Sequence, residues 1–242
     1  MIRILVKEFN GFLDSLIAYI VIGVFLTVVG LMMWVFPETS VLEYGYADMS
    51  TLFSFTPFVF MFLIPAITMR MFAEEKKVGT LEFLFTRPIL DWEIILGKFL
   101  SGWLLVLVAV VPTVIYYFTL SSIANPVGNI DTSGVVGSYI GLVLLGGVFV
   151  AIGIFASSIT SNQIVAFIVA VFLCFCLYSG IDSVSQLTAG KVQVFIEKLG
   201  VIYHYNSMSR GLIDSRNLIY FGSVIVFMLS LTKLALGSRK WG

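Results

Sequence analysis

Six apolar stretches, at about 16–36, 53–73, 99–120, 137–158, 164–181 and 218–236, constrain this chain more than anything else in it. A helix needs about 20 apolar residues to cross a hydrocarbon core about 30 Å thick, and each stretch is close to that length. Backbone polar groups in hydrocarbon must find partners within the protein, so uninterrupted apolar runs of this length predict spanning helices. With 59% hydrophobic and 12% charged residues, the chain is neither a water-soluble domain nor a disordered one. The expected fold class is an all-α membrane protein with six transmembrane helices, forming one domain over 1–242. Pro57 and Pro65 in the second span and Pro112 in the third are expected to bend their helices.

The first stretch follows Arg3 and Lys7 as a secretory signal would. It is too long for a signal core, and it ends in Trp34-Val35-Phe36-Pro37 rather than small-x-small, so it is expected to be retained. Ahead of it, Ile2, Leu5, Val6, Phe9 and Leu13 share one helical stripe and Arg3, Lys7, Asn10 and Asp14 the other, which predicts an interfacial helix over 1–15. With the N-terminus inside, Arg3, Lys7, Arg70, Lys76, Lys77, Arg87, Lys98, Lys233, Arg239 and Lys240 fall on the inner side, ten of the fourteen basic residues. The positive-inside rule therefore predicts both termini in the cytoplasm. The other four lie in an outer segment, 182–217, where Val192, Phe195, Ile196 and Leu199 form a further helical stripe. That helix either lies on or dips into the outer leaflet, or packs as an amphipathic cap on the bundle.

Several chemistries are disfavoured by what is missing. Gly97-Lys98 has Trp92 and Phe99 where a phosphate-binding loop needs glycine and a hydroxyl, so this chain is expected to bind no nucleotide by that route. The middles of the spans carry no Asp, Glu, Lys, Arg or His, which argues against a self-sufficient ion-coupled carrier and against an intramembrane protease. A single histidine, His204, with no ligand cluster near it predicts no metal site. Cys174 and Cys176 lie two apart in an apolar run, where helical geometry points them to different sides.

Charges of both signs crowd beside an apolar face in one place, Glu74-Glu75-Lys76-Lys77-Val78-Gly79-Thr80-Leu81-Glu82-Phe83-Leu84-Phe85-Thr86-Arg87-Pro88. Val78, Leu81, Leu84 and Phe85 fall on one helical stripe, which predicts a helix lying flat on the inner membrane surface. Pro88 stops it, and Asp91 starts a new helix at Trp92-Glu93-Ile94-Ile95-Leu96-Gly97-Lys98. The alternative is a solvated inner loop.

The order Glu-Glu-Lys-Lys-x-Gly-Thr-Leu-Glu-x-Leu, then Thr-Arg-Pro, then Trp-Glu-Ile-Ile-Leu-Gly-Lys-Phe, resembles the coupling region of ABC-2 type transporter permeases. An N-terminal interfacial helix, six spans, an inner coupling helix after the second span and a helical outer segment before the sixth extend the resemblance over essentially the whole chain. The stretch from Tyr203 to Phe221 is similar to the permease subunits of bacterial gliding-motility systems. The resemblance implies a non-catalytic inner-membrane permease, worked by a separate ABC ATPase that holds the ATP and magnesium, with no cofactor on this chain. It implies that Glu74, Glu75, Gly79, Thr80, Leu81, Glu82, Leu84, Thr86 and Arg87, within a coupling region at 74–90, meet that ATPase. A second permease subunit, identical or different, is implied as partner, along with membrane lipid and a possible periplasmic protein, but no nucleic acid. Gly137-x-x-x-Gly141 and Gly147-x-x-x-Ala151 allow close helix approach, either within the chain or at a seam between two permeases.

Overall fold

The computed structural model describes residues 1–81, 90–211 and 214–237. Among them there is no strand, and six helical stretches are long and apolar enough to cross a membrane: Leu16–Trp34, Ser50–Val78, Asp91–Ile123, Thr132–Ile159, Gln163–Gln186 and Ser215–Gly237. The protein is an all-α membrane protein. Helix α1 (Ile2–Leu13) precedes α2 (Leu16–Trp34), whose start is capped by the Ser15 hydroxyl accepting from the Ile17 amide at 3.3 Å. A short helix, α3 (Val41–Tyr44), leads to the second span.

That span runs through both internal prolines as α4 (Ser50–Thr68) and breaks at Met69 before α5 (Arg70–Val78). Proline has no N–H, so Pro57 leaves the Phe53 carbonyl one turn earlier without its helical donor. The Tyr205 hydroxyl, from a helix far along the chain, donates to that carbonyl at 2.7 Å. Burial pushes the Tyr205 phenol well above the usual tyrosine range, so it remains a donor at physiological pH. Tyr205→Phe is expected to destabilise the protein by about 1–3 kcal/mol, the usual penalty for a buried polar group left unpaired. A Pro57→Ala background returns an amide to Phe53 and should shrink that loss, which thermal denaturation in detergent would read.

The third span is α6 (Asp91–Val110), a tight 3-10 turn over Val111–Thr113, and α7 (Val114–Ile123). Pro112 sits in that turn, so the expected bend takes the form of a local change in winding. The fourth, α8 (Thr132–Ile159), is the axis of the bundle: 78% of its most apolar window is buried, against 28% for the first span and 22% for the fifth and sixth. Its glycines explain how. A Cβ on Gly146 would stand 2.7 Å from the Val106 side chain and one on Gly153 would collide with the Thr68 hydroxyl, so side chains of α6 and α4 pack directly on the α8 backbone.

A turn capped by the Asn162 side chain joins α8 to α9 (Gln163–Phe175). The fifth span then widens into a π-helical turn, Cys176–Gly180, and continues as α10 (Ile181–Gln186). Two more helices, α11 (Gly190–Glu197) and α12 (Val201–Ser209), precede α13 (Ser215–Gly237). No residue of α11 is buried, and Val192 and Phe195 are 57% and 66% exposed, so the stripe read from the sequence is not a cap packed on the bundle. The packed helix is α12. Its Val201, Tyr205 and Met208, at i, i+4 and i+7, are all buried.

In the outer segment, Tyr205 and His204 both hold the protein together. The His204 ring stacks on Tyr220 at 3.9 Å, and its nitrogens lie 2.8 Å from Asn217 Oδ1 and 2.9 Å from the Lys198 carbonyl.

Candidate functional site

At the end of the bundle where α1, α5 and the start of α6 meet, apolar sequence gives way to a compact set of charges. Lys98 lies two turns into α6, is 1% exposed, and is the only charged residue among the buried described residues. Its Nζ is 2.8 Å from Glu75 Oε1 on α5, 3.1 Å from Glu8 Oε1 on α1, and donates to the Met71 carbonyl at 2.7 Å. The Phe72 ring lies 5.1 Å from the ammonium. A buried cation is costly unless its donors are met, and here all three find acceptors. Glu75 Oε2 is buried with no hydrogen-bond partner among the described residues. The local sum of one cation and two carboxylates is therefore negative.

Close packing reinforces the ionic contact. A Cβ on Gly97 would stand 3.0 Å from Ile4 and 3.4 Å from the Met1 carbonyl, so glycine lets α1 lie against α6. The N-terminal ammonium adds a longer contact, 3.7 Å from Glu93, that is exposed and worth little. Lys76 of α5 donates to the Ser158 carbonyl at the C-terminal turn of α8, where a cation also offsets the helix dipole. Three spans and the N-terminal helix are thus joined at one end, through residues within two turns of the end of α5.

Gly79 ends α5 with φ +76°, a left-handed conformation that glycine adopts without strain, and the chain changes direction there. This alters the helical stripe expected to include Val78. Val78 closes the second span and is 68% exposed, whereas Leu81, beyond the break, is 1% exposed. The two do not share a helix face.

The implied ATPase contacts accordingly divide. Leu81 is buried in the hydrophobic core of this chain. Glu75 is turned inward to Lys98, and Glu74 pairs with Arg70 at 3.1 Å on a partly exposed face. Lys77, Val78, Gly79 and Thr80 are exposed. Glu82, Leu84, Thr86 and Arg87 lie outside the described residues.

The other candidate residues are filled from within the chain. A Cβ on Gly137 would stand 2.3 Å from the Met208 carbonyl, one on Gly141 3.3 Å from the Tyr205 ring, and one on Gly147 3.2 Å from Ile225 and Trp103. Ala151 is wholly buried. A second permease could use this stripe only by displacing α12 and α13. Among the described residues, no group of three or more His, Cys, Asp or Glu could hold a metal ion.

Lys98 and Glu8 were missed as site residues. Lys98 was visible as a lone cation in the first turns of a spanning helix, a position that requires a partner. Its partners stand 23 and 90 positions away, and no local spacing reveals them.

No curated protein matches the chain. Residues 2–208, well over half of it, match the profile of ABC-2 family transporter proteins, which covers the site, all the spans but the last, and most of the outer segment. The chain therefore belongs to the ABC-2 family of transporter proteins.

Proposed function

We propose that this chain is the permease subunit of an ATP-driven ABC-2 complex of the bacterial inner membrane, with both termini cytoplasmic. A separate ABC ATPase, carrying ATP and magnesium, docks on segment 74–90 and drives export or conformational work. A second permease subunit, the same or different, completes the complex. The similarity of Tyr203–Phe221 to gliding-motility permeases supports reading that work as gliding motility.

One observation carries the reading. The exposed tip Lys77–Thr80 ends a helix that Lys98 clamps to α1 and α6, so force applied at the tip moves three elements as one body. Packed helices shift as units rather than deform, so an ATPase stroke at the tip becomes span tilt. Val78, exposed and apolar at the tip, is the substitution to make. Val78→Asp is expected to lower recovery of the ATPase in a gentle detergent pull-down by about tenfold while the chain itself remains in the membrane, since a contact worth about 1.4 kcal/mol is a factor of ten. If no ATPase accompanies the unaltered chain, the coupling reading fails.

The exposed apolar face of α11 favours a second reading, in which the stroke works on a periplasmic partner instead of moving a substrate. Making Val192 and Phe195 polar should then release a protein from the pull-down and leave ATP hydrolysis intact.

A further inference from the structure

The second, third and fifth spans each depart from regular winding within about three turns of their ends opposite Lys98. In the second, Pro57 frees the Phe53 carbonyl; in the third, Val111–Thr113 tighten into a 3-10 turn; in the fifth, Cys176–Gly180 widen into a π-helical turn. Helices α2, α8 and α13 run through unbroken. Breaks of these kinds are where packed helices bend.

One set of side chains joins the three points. Tyr205 of α12 donates to the Phe53 carbonyl at 2.7 Å. The Phe53 ring meets Tyr139 of α8 edge-on at 5.0 Å, and the Tyr139 hydroxyl lies 3.0 Å from that of Thr113, inside the 3-10 turn. Thr113 gives its own proton to the Val110 carbonyl at 2.7 Å, so Tyr139 is the donor of the pair. On the other side Phe58, next to Pro57, meets Tyr178 edge-on at 5.7 Å in the middle of the π-helical turn.

The same side chains enclose room to move. A cavity of about 500 Å³ is walled by Phe53, Phe58, Tyr178 and Tyr205. Close-packed helices shift only where a second packing exists, and a void beside three weakened turns supplies one. The remaining side-chain bonds of α12 to a span run to Asn217 of α13, from His204 and Ser207. Tyr205 is what ties the cavity side of α12 to the second span.

We infer that this level is a hinge. The span ends opposite Lys98 rock with α12 against the unbroken α8, and the Tyr205–Phe53 bond is the latch that holds α12 over the cavity. The device needs no ATPase to exist, so its failure is distinguishable from failure of the coupling reading.

Hydrogen–deuterium exchange of the full chain in lipid nanodiscs, with whatever subunits accompany it, tests the hinge, because opening exposes the amides of the turns that bend. Tyr205→Phe is expected to speed exchange about five- to tenfold in 53–58, 111–116 and 176–182 together, the weight of one buried neutral hydrogen bond. Residues 144–156 of α8 should exchange as in the unaltered chain. Tyr139→Phe keeps its ring, removes only the bond to Thr113, and should give the same pattern. From either variant, faster exchange confined to the turn that lost its bond, a rise spread evenly over the bundle, or no rise at all overturns the inference.

Discussion

Lys98→Met is expected to cost about 3–5 kcal/mol, because it leaves Glu8 and Glu75 facing each other in a partly buried space without their cation. For a chain of this size such a loss lowers the thermal midpoint by on the order of 10 °C. Methionine keeps the length and apolar stem of lysine, so the loss reports on charge rather than on a cavity. The converse makes the test sharp. Adding Glu8→Gln and Glu75→Gln to Lys98→Met removes all three charges together, and most of the stability should return, since a neutral core is often no worse than a buried ion pair. Midpoints from fluorescence-detected size exclusion would show it. Equal midpoints for Lys98→Met and the unaltered chain would mean that the clamp does not hold α1 and α5 to α6. On the proposed coupling reading, the triple variant separates stability from coupling: ATPase recovery should persist while hydrolysis no longer drives the complex.

The second large effect is expected at the crossing of α4 and α8. Gly153→Ala places a methyl group where the Thr68 hydroxyl already lies, 1.9 Å away, with the Thr68 Cβ at 2.7 Å. Thr68 is wholly buried and its hydroxyl is bonded to the Ile64 carbonyl at 3.0 Å, so it cannot swing aside. The helices must separate, and lost contacts along the crossing make the cost about 3 kcal/mol, the upper end for overpacking. Thr68→Gly should relieve the clash despite the cost of glycine in a helix, about 1 kcal/mol. A double-mutant cycle on thermal midpoints would then show strong coupling. Additive losses would mean that the two helices do not meet at this pair.

The same helix shows why small-residue motifs are hard to interpret from sequence. Gly137, Gly141 and Gly147 announce that something approaches closely, but a partner helix within the chain and one from a second subunit need the same absence of side chain. Only the placement of α12 and α13 against them makes the distinction. Leu81 carries a related lesson. Its spacing from Val78 suits one amphipathic face, but Gly79 adopts a positive φ between them, and that choice of backbone region is invisible to a periodicity argument. In the outer segment, Val192 and Phe195 and Val201, Tyr205 and Met208 both make helical stripes, yet only the second is packed. A stripe says that a face is apolar; in a membrane protein, lipid satisfies that face as well as protein does.

The sequence by itself determined that this chain crosses a membrane six times as helices, because hydrocarbon accepts no unpaired backbone and composition is legible residue by residue. It also located the charged region after the second span, since charges stand out against apolar runs. Only the tertiary structure decided which charges meet, that α8 is the axis, and that Tyr205 supplies the bond that Pro57 withholds. Those depend on residues 23 to 152 positions apart, brought together by packing, and the energy of such contacts is not written in any local pattern.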